Sequence, residues 1–230
     1  MKKILRKIFI AILSTLILLN ANLISFGATT AGQEMRTQVL YLADIIKNDN
    51  NMNEFVTRGD FARMIVKAST YKDTTNLTEG ASAFSDVEIS DENSSFIKVA
   101  TREGYIASYL GGLFKPNEFV MYRDLIRACI ALLGYENSDF TGNQVNGRYE
   151  LFCSLRMNEN IDKTINEYVT KKDCVNAIYN TLKTNKKNSS SAYGPSVFTK
   201  MSVNSDGELN ATGLIKTKLE GPFILKSGEA

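Results

Sequence analysis

The chain has 230 residues, of which 43% are hydrophobic, with 27 basic residues, 25 acidic residues and no histidine. The absence of histidine excludes Ser-His-Asp triads, Cys-His dyads and zinc sites built on imidazole. Three cysteines at wide spacing do not resemble the dense, even set of a small disulfide scaffold. We therefore expect buried free thiols at Cys129, Cys153 and Cys174, with a single bridge or a reactive thiol as the alternatives.

The first 31 residues predict a cleaved secretory signal peptide. Basic residues precede an apolar run from Ile8 to Leu19, and small residues follow from Ser25 to Ala31. A membrane anchor is the alternative, but the run is shorter than the roughly 20 residues that a spanning helix needs. Without this segment 23 basic residues face 25 acidic ones, a net charge of −2. We expect a secreted protein with no affinity for nucleic acid or, after cleavage, for membranes.

A helix-forming motif occurs three times in the remaining chain. The copies begin at Val56, Val120 and Val169, which are 64 and 49 residues apart. In each copy an aspartate lies four residues after the valine, and apolar residues then follow with the period of a helix. This register places Cys129 and Cys174 in the apolar stripe of their helices, which favours a core position for both thiols.

The start of each repeated helix carries a capping pattern. Thr57 and Asp60 have the spacing of a capping box, and so have Thr170 and Asp173. The threonine accepts from a first-turn N–H, and the aspartate suits the positive end of the helix dipole. The second copy has Met121 at the cap position, so there only the aspartate remains.

Capping leaves Arg58 unexplained. A cation in the first turn opposes the helix dipole by several tenths of a kcal/mol. The arrangement fits an anionic ligand that free backbone N–H groups and the guanidinium hold together. The alternative is an exposed Arg58 paired with a nearby carboxylate such as Glu54.

An apolar segment of helical period precedes each capped helix, at residues 39–46, 96–103 and 149–155. In the second copy Gly104 predicts a helix end, and Gly111, Gly112 and Pro116 predict turns before the capped helix. One such helix pair cannot bury its apolar faces alone, so we expect several pairs to pack together.

These motifs resemble the S-layer homology (SLH) module. The resemblance rests on residues 84–87, 104–106 and 112–116 and on the Thr-Arg-x-Asp helix start at Thr57; it covers about residues 34–184. It implies a mainly α fold, a pseudo-threefold bundle of helix pairs, with modules at 32–75, 80–135 and 145–184. It also implies non-covalent binding of an anionic, often pyruvylated, secondary cell wall polymer in grooves between modules, with Arg58 contacting the polymer.

The chain departs from this family pattern at several positions. It has no tryptophan, which family modules usually carry after the Phe-x-Asp-Val stretch. The second copy has Tyr122 in place of the arginine, with Arg123 about 100° further round the helix. The third copy has Lys171, which keeps the charge but loses the planar fork. We expect the best site at Arg58 and a weaker one at Lys171. The predicted ligand-binding residues are Thr57, Arg58, Asp60, Arg123, Lys171 and Asp173.

The C-terminal part has a different pattern. Residues 185–195 predict a polar linker, and residues 196–230 predict a small β tail with strands at 196–203, 209–218 and 223–225. Docking on the helices, pairing with a protein partner and membership of a larger domain are all open for this tail.

Other functions are compatible with export. Asp49, Asn51, Asn53 and Asp60 partly match a calcium loop, but its glycine and final glutamate are missing, so an interhelical loop is favoured and no metal or cofactor is expected. A wall-glycan hydrolase needs two convergent carboxylates, and no pair is singled out, so the prediction is a protein that is not an enzyme. A surface adhesin or envelope scaffold with vestigial modules is a further alternative.

Overall fold

A computed structural model of the chain describes residues 32–47, 51–74 and 83–214. The chain divides into Met1–Thr30, where the predicted signal peptide lies outside the described residues, and a compact unit from Ala31 to Ala230. The elements of this unit, in chain order, are α1 (Gln33–Leu42), α2 (Arg58–Lys67), α3 (Ser94–Arg102), α4 (Tyr122–Leu132), a 3-10 turn (Asn137–Asp139), α5 (Gln144–Ser154), α6 (Lys171–Lys183), α7 (Tyr193–Val197), β1 (Ser202–Val203) and β2 (Leu209–Asn210). The predicted mainly α fold with a small C-terminal β segment is confirmed.

The three repeats meet at a closed ring of backbone hydrogen bonds. The N–H of Val56 donates to the carbonyl of Val169 at 3.1 Å, that of Val169 to Val120 at 3.0 Å, and that of Val120 to Val56 at 3.0 Å. All three valines are buried. This ring gives the capped helices their pseudo-threefold arrangement, because each helix begins two residues after its valine.

A cluster of three aromatic side chains surrounds the same axis. Phe55, Phe119 and Tyr168 each precede a ring valine, and their ring centroids lie 5.5 to 6.0 Å apart in tilted and edge-to-face contacts. Each side chain is a little under half exposed. The cluster therefore covers one end of the valine ring and leaves an apolar surface there.

Helices pack between successive repeats. The capped helix α2 packs on α3, α4 packs on α5, and α6 packs on α1, so the first helix of the chain closes the circle. Phe61, Leu125 and Cys174 occupy equivalent positions in the capped helices and are fully buried. The predicted register of the repeats is thereby confirmed.

Two residues after the first helix of each repeat, a residue with left-handed backbone turns the chain: Asp44 (φ 59°), Gly104 (φ 73°) and Arg156 (φ 57°). The next amide in each case bonds back to the helix, as from Tyr105 to the Ala100 carbonyl at 2.9 Å. The stop predicted at Gly104 is confirmed. In the first repeat the predicted helix over 39–46 is wrong at its C-terminal end, since the turn at Asp44 places residues 43–46 after α1.

The segment after α6 is ordered and docks on that helix. A short helix, α7, stands where a strand was predicted from residue 196, and β1 and β2 are two residues each. The Tyr179 hydroxyl of α6 donates to Glu208 at 2.9 Å and accepts from the Leu209 amide at 3.1 Å. Residues 185–195 are also held, since the Lys187 amide donates to the Leu133 carbonyl. Residues 215–230, with the predicted third strand, lie outside the described residues.

Candidate functional site

The first-turn N–H groups of the capped helices are already bonded. In α2 the Arg58 amide donates to the Glu118 carbonyl at 2.8 Å, and the Gly59 amide donates to the Pro116 carbonyl at 2.9 Å. The Asp60 amide donates to the Thr57 hydroxyl. The equivalent bonds at α4 and α6 run from Tyr122 to Glu167, Arg123 to Ile165, Lys171 to Glu54 and Lys172 to Met52. The expectation of free N–H groups that hold an anion is wrong, because the loop before one of the other capped helices supplies their acceptors.

Arg58 is buried between the first two repeats, with 4% of its surface exposed. Its Nε donates to the Phe114 carbonyl at 2.9 Å, and one terminal nitrogen donates to the Ala107 carbonyl at 2.7 Å. The guanidinium also lies 4.8 Å and 4.7 Å from the ring centroids of Tyr109 and Phe114. Backbone carbonyls and aromatic rings are thus the partners of the Arg58 charge, which the sequence alone did not identify. Direct ligand contact by Arg58 stays a prediction, and its burial favours a role in holding the 107–116 loop.

Asp86 fixes the other side of this loop. Its two carboxylate oxygens accept from the amides of Phe114 at 2.9 Å and Lys115 at 2.7 Å. Burial opposes ionisation, but these amides, with the positive charge of Arg58, hold the pKa of Asp86 below its ordinary value. Lys115 has left-handed backbone (φ 59°) at the turn. The resemblance motifs at 84–87 and 112–116 therefore meet in space, and Arg58 joins them from the preceding repeat.

The position of Arg58 has different occupants in the other repeats. Tyr122 is buried and packs edge-on against Phe152, with ring centroids 6.0 Å apart. Its neighbour Arg123 is exposed and donates to the Asn166 side chain at 2.8 Å. Lys171 is partly exposed and forms an ion pair with Glu54 at 3.1 Å. Of the three equivalent positions, Lys171 therefore presents its charge at a surface groove.

That groove lies between the first and third repeats and has a volume of about 250 Å³. Its apolar surface comes from both repeats, and its charged side chains are Lys47, Asp60, Arg63 and Lys171. The full lining is Ile46, Lys47, Met52, Val56, Asp60, Arg63, Met64, Lys171 and Val175. The lining carries three positive charges and one negative charge, and the carboxylates of Glu92 and Glu54 pair with Lys47 and Lys171 at its rim.

The six predicted residues separate into different environments. Asp60 and Lys171 line the groove, while Arg58 and Arg123 do not. Thr57 and Asp173 act in capping: Thr57 accepts from the Asp60 amide, and Asp173 accepts from both the amide and the hydroxyl of its own cap residue, Thr170. Capping by the threonine is confirmed at both helices. The reciprocal capping box is confirmed in α6 but is wrong for α2, where the Asp60 carboxylate accepts from the Thr57 hydroxyl and not from the Thr57 amide.

Sequence reasoning missed Lys47 and Arg63. Lys47 follows α1 and pairs with Glu92 at 2.9 Å, and Arg63 lies on α2 with its guanidinium 5.9 Å from the Phe96 ring centroid. Neither belongs to a local motif. Arg63 could have been found from its spacing, because it follows Asp60 by three residues on the same helix face.

The cysteine prediction can also be tested. The prediction of buried free thiols is confirmed for Cys129 and Cys174, but burial is wrong for Cys153, which is a partly exposed free thiol. Burial raises the pKa of Cys129 to about 12, so this thiol stays protonated. Among the described residues, no group of three or more acidic or sulfur side chains is arranged to hold a metal ion. Asp49 of the calcium alternative lies outside those residues.

Comparison with known proteins agrees with the resemblance. The sequence model of the S-layer homology domain matches residues 83–121, so the chain carries a module of that family there. The chain is 28% identical over 87 residues to a "Middle cell wall protein" of Brevibacillus brevis, and 26% identical over 148 residues to a "Surface layer protein" of Brevibacillus choshinensis.

These alignments cover 38% and 59% of this chain but only 8% and 13% of the two relatives, which are far longer. Both relatives have names of cell-wall or surface-layer proteins and not of enzymes. Together with the matched domain, they support association with the cell wall and indicate a location at the cell wall or cell surface. None of the described helices has the length and apolarity that crossing a membrane requires.

Proposed function

We propose that the chain associates non-covalently with the cell wall by binding an anionic secondary wall polymer, such as a pyruvylated glycan, in the groove between the first and third repeats. The observation that carries the proposal is the charge of this groove. Lys47, Arg63 and Lys171 line it around an apolar floor with one lining carboxylate, Asp60, and the glutamates that pair with the two lysines are exposed at its rim. Such a surface suits a sugar chain, whose rings offer apolar faces and whose acidic substituents need cationic partners.

The ion pairs at the rim of the groove permit ligand binding. Lys171 bonds Glu54, and Lys47 bonds Glu92; both glutamate side chains are more than half exposed. Exposed pairs of this kind contribute at most about 1 kcal/mol. A ligand carboxylate therefore competes with these glutamates at small cost, and it gains charge-assisted hydrogen bonds from the lysines.

Arg58 has a supporting role in this proposal. Its side chain joins the first repeat to the 107–116 loop of the second and does not line the groove. Because the cyclic packing of the repeats positions Lys171 beside Arg63, the integrity of the Arg58 contacts bears on the groove without direct contact to a ligand.

We propose binding and not catalysis as the activity. One carboxylate, Asp60, lines the groove, and the two at its rim, Glu54 and Glu92, are engaged in ion pairs with lysines, whereas hydrolysis of a glycosidic bond by the common mechanisms uses two convergent carboxyl groups. A scaffold with vestigial modules is the competing proposal, and Tyr122 favours it for the second repeat, since a buried aromatic replaces the cation there.

The test is retention of purified residues 32–230 on isolated cell wall, before and after extraction of the secondary polymer. Lys171→Gln is expected to weaken retention about tenfold, since one charge-assisted hydrogen bond contributes about 1.5 kcal/mol. Lys163→Gln is a matched control, because Lys163 also faces a glutamate, Glu167, but lies outside the groove. If both variants are retained equally, and if retention on stripped walls equals that on intact walls, the result would support the scaffold instead.

A further inference from the structure

A second cavity, which we name the arginine cavity, lies beyond the C-terminal end of α2. Its volume is about 440 Å³. It is lined by Thr70, Tyr71, Glu103, Gly104, Tyr105, Arg127, Ala131, Gly134, Tyr135, Glu136, Asn137 and Arg148. All three repeats contribute to it, and it shares no residue with the groove between the first and third repeats. Its size is within the range of about 300–1,000 Å³ that small-molecule sites occupy.

Arg148, on α5, is a buried cation with neutral partners. It is 9% exposed. One terminal nitrogen donates to Asn137 at 2.6 Å and to Gln144 at 3.0 Å, and the guanidinium lies 5.5 Å from the Phe140 ring centroid. Burial lowers the pKa of Arg148, and the charge of Arg127 lowers it further. A buried guanidinium whose partners are amides and an aromatic ring leaves its charge uncompensated.

Arg127, on α4, brings a second positive charge to the same cavity. Within the part of the chain that the structure describes, no carboxylate lies within ion-pair distance of Arg127 or Arg148. The two acids that line the cavity have other partners. Glu103 pairs with Arg102 at 2.6 Å and accepts from the Tyr71 hydroxyl, and Glu136 accepts from the Asp139 amide. Two guanidinium groups therefore face one cavity with no carboxylate of the described residues at ion-pair distance; Arg127 acts at longer range on Asp124, also on α4, and Glu103 and Glu136 lie in the same lining.

We propose that Arg127 and Arg148 bind an oxyanion in the arginine cavity, namely the carboxylate or phosphate group of a small ligand. Guanidinium groups match both oxyanions with paired N–H donors, and two of them from neighbouring helices can grip one group from two sides. An anion between them reduces their mutual repulsion and supplies a counter-charge at ion-pair distance. The surrounding tyrosines Tyr71, Tyr105 and Tyr135 provide walls that suit a small organic ligand.

The test uses the purified chain with two probes, inorganic phosphate and malonate, at an ionic strength held constant with sodium chloride. Each probe that binds is expected to raise the melting temperature in proportion to the logarithm of its concentration above its Kd. Isothermal titration gives the affinity directly. The stronger probe identifies whether the site prefers phosphate or carboxylate.

Arg127→Gln is the decisive variant, because Arg127 makes no hydrogen bond or ion pair among the described residues and its replacement is therefore expected to leave the fold intact. We expect at least a tenfold loss of affinity for the preferred oxyanion. Arg156→Gln is the control. It makes an equal change of charge at an exposed arginine that does not line the cavity, so it should keep the wild-type affinity. Undiminished affinity in Arg127→Gln, or no stabilisation by either probe beyond that of chloride, would overturn the proposal.

Discussion

Replacing Arg58 with alanine is expected to destabilise the fold by about 3–6 kcal/mol. The substitution removes two charge-assisted hydrogen bonds, at 2.9 Å and 2.7 Å, each contributing about 1.5–3 kcal/mol. It also removes the stacking on Tyr109 and Phe114 and leaves the Phe114 carbonyl without its side-chain donor. The loss is a large part of the 5–15 kcal/mol of a typical domain. Arg58→Lys should lower the free energy of unfolding by less, since the lysine keeps the charge but can bind only one of the two carbonyl groups.

The assay is urea denaturation of residues 32–230, followed by circular dichroism, for Arg58→Lys, Arg58→Ala and the wild type. Arg123→Ala is the matched control, because Arg123 is exposed and has one hydrogen bond, to Asn166; a change below about 1 kcal/mol is expected for it. A structural role for Arg58 is refuted if the free energy of unfolding of Arg58→Ala lies within 1 kcal/mol of the wild-type value and the variant nevertheless loses wall retention. That combination would make Arg58 a ligand residue first and a structural one second.

Two further predictions concern the loop and the tail. The pKa of Asp86 is lowered in the folded state, so its contribution to stability is present above the unfolded pKa of about 3.9 and disappears as the pH falls through the folded pKa. Asp86→Asn should therefore be less stable than the wild type at neutral pH. The difference between their melting temperatures should shrink in thermal denaturation at acid pH. Gly194→Ala places a Cβ 2.7 Å from the Met201 sulfur and 2.9 Å from the Leu182 carbonyl, so it should loosen the tail at a cost of about 1–3 kcal/mol. Limited proteolysis would show faster cleavage after α6, and an unchanged digest would contradict the packing.

The starts of the capped helices could be predicted from the sequence because local residues determine them. Thr57 and Thr170 accept from amides three residues ahead, so the signal and its partner lie within one turn. The stop at Gly104 is local in the same sense, since φ there is positive. The core positions of Cys129 and Cys174 followed from helical period alone.

The partners of Arg58 could not be predicted in this way. The carbonyls that it binds belong to Ala107 and Phe114, 49 and 56 residues further along the chain. Only the closed ring of repeats brings them to the start of α2. The same holds for the first-turn amides, whose acceptors come from the loop before one of the other capped helices, so a local reading left these donors free.

The groove and the tail show two further limits. Lys47 and Arg63 come together with Lys171 across 124 positions of sequence; the three-residue spacing from Asp60 is the one local mark of Arg63, and no motif marks Lys47. In the tail, strands were predicted at 196–203 and 209–218. They pair antiparallel only at Ser202–Val203 and Leu209–Asn210, and the first strand gives way at residues 196 and 197 to α7, which packs on α6. Tertiary contacts outweighed local β preference there.

The most direct measurement of the central claim is the salt-matched binding of residues 32–230 to isolated cell wall that carries its secondary polymer. Binding of the polymer in the groove predicts saturable retention that falls about tenfold in Lys171→Gln and stays at the wild-type level in Lys163→Gln. Retention should disappear when the polymer is extracted from the wall. Retention that is indifferent to Lys171 and to extraction would contradict binding of an anionic polymer in the groove between the first and third repeats.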